Sequence, residues 1–326
     1  MKKILCSGWL PAEIATAYDS IVQLDSYPVE NGIAPRNEVL AQLPGYDGLF
    51  CIGLKADREL IDIGHANNLQ VITNFGVGYD NIDWQYATEK GIPVLNTPIA
   101  VREPTAELSI LLLMAVMRDL GRLERTVRAT KEFCGCMFYP GATTVYGKKL
   151  GILGFGRIGK AVARKAKGLG MSVVYYDPFP ADRKTEQEIG VENLPLEEVL
   201  KQSDAVSLHM PYSPETHHFM DAAKFELLKE GAYFVNASRG AVVDEAALIA
   251  VLNSGKLAGA GLDVYEFEPR ISPELFEMEN VVLAPHIGSM TWDARVAMAK
   301  EALDGAIRVL NGEIPANCVN PKVFNK

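Results

Sequence analysis

Lys149-Leu150-Gly151-Ile152-Leu153-Gly154-Phe155-Gly156-Arg157-Ile158-Gly159 carries an apolar, strand-like run into a glycine turn, and the amphipathic segment Ile158–Gly168 follows at once. Each glycine has a physical reason. Gly154 permits the tight turn, Gly156 lets backbone approach a pyrophosphate, and Gly159 allows the helix to pack closely on the strand. Unpaired N–H groups at the helix start, with about half a positive charge, suit a diphosphate. The strand before and the helix after separate this pattern from a chance glycine loop. They predict a dinucleotide-binding unit with Gly154, Phe155, Gly156, Arg157, Ile158 and Gly159 on the cofactor. The next strand-like run ends at Asp177-Pro178, 18 residues past Gly159, near the ~20 expected for an acid that bonds a ribose 2′-hydroxyl. Asp177 would repel a 2′-phosphate, which favours NAD over NADP. Arg183 and Lys184 in the following loop soften that preference, and a plain turn at Asp177-Pro178 is the competing reading.

Outward from this unit, short apolar runs alternate with helix-like segments, the pattern of βα units on a mainly parallel sheet. Downstream strands are expected at Val173–Tyr176, Ala205–Leu208, Tyr233–Val235, Gly259–Leu262 and Val281–Leu283, with a helix at Asp244–Asn253. Upstream, an independent α/β series has strands at Lys3–Cys6, Gly48–Ile52, Val71–Thr73 and Pro93–Leu95. Its helices are Arg36–Leu43, Asp57–His65 and Asp83–Lys90, the last two opened by Asp and the last closed by Gly91. Between the series one long helix is expected from Glu103-Pro104-Thr105 through Leu108–Met117 toward Arg128. Its first half is apolar on nearly every face and must be covered. The last amphipathic stretch, Thr291–Leu310, is long enough to return to the first series. The fold class is therefore α/β with two Rossmann-like domains. The expected segments are residues 1–99, residues 100–287 as the NAD-binding domain, and residues 288–326 rejoining the first.

The chain has 326 residues, enough for about two domains. Thirty-two Lys and Arg against 41 Asp and Glu give a net charge of −9, so no global positive field draws nucleic acid or anionic lipid. The most apolar run, Leu108–Met117, is far short of the ~20 residues that span a bilayer, so no membrane role is expected. The apolar stretch after Met1-Lys2-Lys3 stops at Ser7-Gly8 and reads as a first strand, not a signal peptide. Cys6, Cys51, Cys134, Cys136 and Cys318 form neither zinc spacing nor an even disulfide set, and Cys134-Gly135-Cys136 lacks the two-residue spacer of a redox pair. Reduced thiols in a cytoplasmic protein are the expectation. No metal site is predicted.

Three polar sites fall near strand ends of the second series: Asn236-Ala237-Ser238-Arg239-Gly240, Asp263 to Pro269, and Pro285-His286-Ile287-Gly288. Loops beyond the carboxyl ends of parallel strands are where such sheets bind ligands. Together these residues fit hydride transfer at a 2-oxo acid. Charge grows on the carbonyl oxygen as hydride reaches carbon, so a proton donor is needed, and His286 suits that task near neutral pH. Glu268 is the carboxylate that would fix the imidazole tautomer, and Arg239 offers a planar fork to a carboxylate and carbonyl oxygen. The plain alternatives are a packed turn histidine, one solvated acid in Glu266–Glu268, and an arginine capping a helix. His217-His218 read as neighbours with diverging side chains on the surface, in a loop from Pro214 to Thr216 that borders the adenine. Arg118, Arg122, Arg125 and Arg128, interleaved with Asp119 and Glu124, read as a solvated helix face.

Over nearly its whole length the chain resembles the D-isomer-specific 2-hydroxyacid dehydrogenases, most of all their glyoxylate/hydroxypyruvate reductase branch. The resemblance rests on Asn74 to Asp83, Asn96-Thr97-Pro98, Thr105-Ala106-Glu107, Gly154 to Gly159, Ser238-Arg239-Gly240, Gly261 to Tyr265 and Ala284 to Ser289. It implies Arg239, Glu268 and His286 as the catalytic residues, with Arg239 and His286 also on the substrate. It implies backbone N–H groups of Val77 and Gly78 on the substrate carboxylate, and Asp263 on the nicotinamide amide. The cofactor-facing set then extends to Pro211, Thr216, Ala237, Ser238, Arg239, His286 and Gly288. It also implies a doubly wound coenzyme domain, a discontinuous flavodoxin-like substrate domain and a homodimer through the coenzyme domain, which would cover the helix after Pro104. Related NADP-using reductases tend to carry Ser-Arg after the second strand where this chain has Asp177, so NADPH preference is not carried over. The expected function is reduction of a small 2-oxo acid, glyoxylate or hydroxypyruvate, to the D-2-hydroxy acid. A 3-phosphoglycerate dehydrogenase without a regulatory domain and an NAD-sensing co-regulator of the same fold are the alternatives.

Overall fold

In the computed structural model, which describes residues 1–132 and 137–325, the chain forms two compact units. The first comprises Met1–Val101 and Met290–Lys326, the second Arg102–Ser289. Cys134 and Cys136 lie outside the described residues.

The first unit carries five parallel strands: β1 (Lys3–Cys6), β2 (Gln23–Ser26), β3 (Gly48–Cys51), β4 (Val71–Asn74) and β5 (Val94–Leu95), in spatial order β2-β1-β3-β4-β5. That order is the flavodoxin-like one, with its reversal between β1 and β3. β3 and β4 are buried along their whole length, as expected for strands covered on both faces. The helices between them start where a carboxylate can take an orphan amide. Asp57 accepts from the Leu60 N–H and Asp83 from the Tyr86 N–H. The final helix, Trp292–Leu310, is capped by Thr291, and its Ala299, Ala302, Leu303 and Ala306 pack against Ile4, Phe50 and Val71 of the same sheet. Small side chains allow that approach. A Cβ on Gly305 would already stand 3.0 Å from Leu95.

The second unit carries seven parallel strands: β6 (Lys149–Leu153), β7 (Ser172–Tyr176), β8 (Glu192–Asn193), β9 (Ala205–Leu208), β10 (Ala232–Asn236), β11 (Leu257–Leu262) and β12 (Val281–Leu283). Their order is β12-β11-β10-β9-β6-β7-β8, so the doubly wound reversal falls between β6 and β9. The helix Arg157–Gly168 and the helix Arg102–Met117 pack on one face; Glu245–Asn253 packs on the other.

Two expectations change. The single helix from Glu103 toward Arg128 is two helices, Arg102–Met117 and Leu120–Thr130. Asp119 between them takes a left-handed backbone (φ 51°), and its carboxylate accepts from the Arg122 guanidinium and the Tyr139 hydroxyl. The turn is thus held by side chains that carry no breaker signature. Strands β2 and β8 were not expected: both are edge strands, polar or only two residues long, where neither apolarity nor alternation marks a strand. No helix among the described residues is long and apolar enough to cross a membrane.

Candidate active site

The glycine turn lies at the carboxyl end of β6, beside the point where the strand order reverses. Gly154 has φ 91°, and a Cβ there would meet the His209 carbonyl oxygen at 2.7 Å. A Cβ on Gly159 would meet the Gly154 carbonyl oxygen at 2.2 Å, whereas one on Gly156 would meet nothing within 4 Å. The first and third glycines are required by the fold, and the second leaves open space. The amides of Gly156, Arg157 and Ile158 have no acceptor among the described residues. Three unspent N–H groups opening a 12-residue helix over open space are what a diphosphate needs.

Not every side chain of this set faces outward. Phe155 is buried, stacked on Tyr175 at 3.8 Å, and Ala237 is buried, so each has only backbone to give; Arg157 is exposed and Ile158 packs partly into the core. Asp177 directly follows β7, its carboxylate accepting from the Phe155 N–H (2.7 Å) and the Phe179 N–H (2.8 Å). These bonds hold the acid against the glycine turn. Pro211 and Thr216 share one loop, closed by the Thr216 hydroxyl donating to the Pro211 carbonyl. His209, at the base of this loop, was not singled out from sequence. Its Nε2 lies 2.8 Å from Ser207 Oγ, its Nδ1 has no partner among the described residues, and burial pushes the imidazolium down to about 3, so the ring is neutral.

At the end of β10, buried Asn236 shapes the Arg239 turn. Its Oδ1 accepts from the Ser238 N–H and hydroxyl, and its Nδ2 donates to the Arg239 carbonyl. After β12, His286 takes φ 55°, a left-handed conformation uncommon for a residue other than glycine. Asp263 imposes it: the Asp263 carbonyl accepts from the His286 N–H (2.9 Å), and its carboxylate oxygens accept from Ile287 N–H (2.7 Å) and Gly288 N–H (2.8 Å). Burial pushes the Asp263 carboxyl up against the pull of those two amides. So placed, the half-exposed His286 donates Nδ1–H to Glu268 Oε2 at 2.9 Å, while Glu268 Oε1 accepts from the Tyr265 N–H at 3.0 Å. Burial raises the Glu268 carboxyl, but His286, the Tyr265 amide and the Arg239 charge together hold it below its ordinary value.

In the first unit, the loop after β4 is built differently. Its three central carbonyls are spent: Gly76 accepts from the Thr97 N–H, Val77 from Asn96 Nδ2 (2.7 Å) and Gly78 from Asn74 Nδ2 (2.6 Å). The Val77 and Gly78 amides have no acceptor among the described residues. With carbonyls turned inward, the loop offers bare donors, a fit for a carboxylate. Arg295 lies beside it, its guanidinium 5.1 Å from the Phe75 ring centroid and lowered in pKa by burial, with no acidic partner among the described residues.

The profile of the family described as D-isomer specific 2-hydroxyacid dehydrogenase, NAD binding domain, matches residues 110–288. A glyoxylate reductase of Thermococcus litoralis is 44% identical over 297 residues, covering 89% of this chain and 88% of its own. The chain belongs to the D-isomer-specific 2-hydroxyacid dehydrogenases. A glyoxylate reductase structure from Paecilomyes thermophila superposes with a TM-score of 0.85 at 33% identity, covering 98% of each chain. A D-lactate dehydrogenase from Aquifex aeolicus, complexed with NAD and lactic acid, gives 0.81 at 29% identity, covering 98% of this chain and 99% of its own. The dehydrogenase is thus an NAD-dependent oxidoreductase, and its glycine turn, open at Gly156 and rich in unspent amides, fits the dinucleotide.

One surface expectation is corrected. The His217 and His218 rings do not diverge but stack, centroids 4.0 Å apart, because His218 has a left-handed backbone (φ 50°). Arg122 bonds Asp119 and Arg128 bonds Glu124 on a helix with no buried residue, a solvated face. Cys6 and Cys51 are buried, and burial pushes both thiols up. No metal-holding cluster of His, Cys, Asp and Glu occurs among the described residues.

Proposed function

We propose that this dehydrogenase reduces a small 2-oxo acid of the glyoxylate or hydroxypyruvate class to the D-2-hydroxy acid, with His286 as proton donor, Glu268 orienting it and Arg239 holding the substrate. The observation that carries the reading is the 2.9 Å bond from His286 Nδ1 to Glu268. It commits Nδ1–H to the carboxylate, so the proton to be given is the one on Nε2. Bound NADH supplies two electrons as hydride to C2. His286 gives its Nε2 proton to the C2 oxygen, which becomes the hydroxyl, and the neutral ring keeps its Nδ1–H on Glu268. The Arg239 guanidinium offsets negative charge on the carboxylate and on the carbonyl oxygen as it forms. The Val77 and Gly78 amides bind the substrate carboxylate. Relatives named glyoxylate reductase favour the two-carbon end of the substrate class.

The reading includes a homodimer through the coenzyme domain. Leu111, Met114, Leu120 and Val127 stand exposed on the helices Arg102–Met117 and Leu120–Thr130 and are the apolar side chains such an interface would cover. Oxidation of NADH and NADPH against a panel of 2-oxo acids tests the function. Glyoxylate and hydroxypyruvate should be reduced fastest, with NADH preferred because Asp177 meets a 2′-phosphate. Tight NADH binding with no oxo acid reduced would replace this reading with the sensor alternative.

A further inference from the structure

Glu266 and Glu268 are two residues apart, and each faces its own histidine. Glu268 holds His286; Glu266 Oε1 accepts from His218 Nε2–H at 2.7 Å. No step proposed above uses the second pair. The Glu266 side chain is only 12% exposed, and its polar contacts run to other loops. Oε2 accepts from the Glu245 N–H at 3.1 Å, and the Glu266 N–H donates to Glu245 Oε2 at 3.0 Å, a reciprocal exchange between two acids. Glu245 is itself buried, and its Oε1 accepts from the Ser272 hydroxyl. On the other side, the His218 N–H donates to the Ala241 carbonyl at 3.0 Å. The segments also touch through backbone: a Cβ on Gly240 would meet the Tyr265 carbonyl carbon at 1.9 Å.

Buried carboxylates without donors are costly, and here each acid finds a donor in the other's main chain. The exchange fixes the start of the helix Glu245–Asn253, six residues past Arg239, against the loop that carries Glu268, and the close approach of Gly240 to Tyr265 brings the Arg239 turn against the same loop. His218 ties in the loop that carries Pro211 and Thr216. We propose that Glu266 is a positioning residue for the oxo-acid reduction: with Glu245 and His218 it bolts the coenzyme loop, the arginine loop and the imidazole-anchoring loop into one frame. The inference rests on the roles of Arg239, Glu268 and His286 proposed above. Glu266 acts through Arg239 and Glu268, which must stand correctly relative to one another for proton transfer.

The test uses the full-length enzyme with NADH, turnover normalised to coenzyme-binding sites, and thermal unfolding measured alongside. Glu266→Ala should lower kcat/KM for the oxo acid about tenfold, within the range a sub-ångström misplacement produces, with NADH affinity changed less than about twofold. Glu266→Gln, which keeps an acceptor for the Glu245 amide and gives up the one for His218, should recover to within about threefold of the native enzyme. In an Arg239→Lys background, Glu266→Ala should cost much less than it does alone. A folded, NADH-loaded Glu266→Ala enzyme with native kcat/KM overturns the proposal, as does Glu266→Gln falling as low as Glu266→Ala. Should Glu266→Ala not fold, His218→Asn decides: Asn tolerates the left-handed backbone, and loss of one bolt should cost about threefold, an unchanged value overturning the proposal. His286→Gln run in parallel separates the layers. Full turnover there overturns the catalytic reading itself, whereas an inactive His286→Gln beside an unaffected Glu266→Ala overturns the positioning role alone.

Discussion

The two sheets share a wiring rule and differ at their first βα turn. After β1 comes Ser7-Gly8-Trp9-Leu10-Pro11 and a helix of only four residues, Ala12–Ala15; a Cβ on Gly8 would meet Ile52 at 2.8 Å. After β6 comes Gly154 to Gly159 and a 12-residue helix with open space above Gly156. The first turn is filled by packing and the second is held open. Topology therefore does not make a nucleotide site; unspent amides facing open space do. The first unit places its bare donors elsewhere, after β4, where Asn74 and Asn96 side chains take the loop carbonyls. In the function proposed above, one holds a diphosphate by a helix end and the other a carboxylate by two amides.

Matched alanine substitutions break the comparison most sharply. Gly159→Ala puts a methyl against the Gly154 carbonyl and should force helix from strand, at about 3 kcal/mol or roughly a hundredfold in NADH affinity. Gly8→Ala meets a side chain instead and should cost about 1–3 kcal/mol in stability while leaving NADH affinity intact. Calorimetric titration with thermal unfolding distinguishes them, and equal loss of NADH binding in both would erase the contrast. A smaller effect is expected in the first unit. Asn96→Ala strands the Val77 carbonyl, about 1–2 kcal/mol, and should raise KM for the oxo acid about tenfold with NADH affinity unchanged. Steady-state kinetics at saturating NADH checks it.

The smallest effect concerns pH. The Glu268 carboxyl lies below its ordinary value, so its stabilising contribution is present above the unfolded carboxyl's titration and is lost as pH falls through the lower folded value. Glu268→Gln removes that charge from beside the imidazolium, and the alkaline limb of kcat/KM for reduction should move down by roughly 1 pH unit or more. A pH–rate profile with an unmoved limb would leave Glu268 a packing residue.

Much of this was legible in the sequence, for reasons that are local. The glycine turn is contiguous, Asp57, Asp83, Asp244 and Thr291 cap the helices that follow them, and buried parallel strands are mostly apolar. Edge strands β2 and β8 carry no such mark, because one side of each lacks a neighbour and their residues are polar. The break at Asp119 depends on Tyr139, 20 residues away. At the site, Arg239, Glu268 and His286 stand out by residue type. The residues that shape the loops do not: Asn236 in the second unit and Asn74 and Asn96 in the first look like ordinary strand-end polar residues until the carbonyls they hold are known. Nor does sequence show that the Asp263 carboxylate is spent on the Ile287 and Gly288 amides, or that Glu266 and Glu245 exchange backbone bonds.

The central claim is that the His286 imidazole, anchored by Glu268, delivers the proton. Its most direct test is single-turnover reduction of glyoxylate by NADH-loaded His286→Gln, read as loss of NADH absorbance. The account predicts turnover at least about a thousandfold slower than native, the scale of a missing general acid, with NADH affinity preserved. Native-like turnover, or NADH affinity lost together with activity, would contradict it.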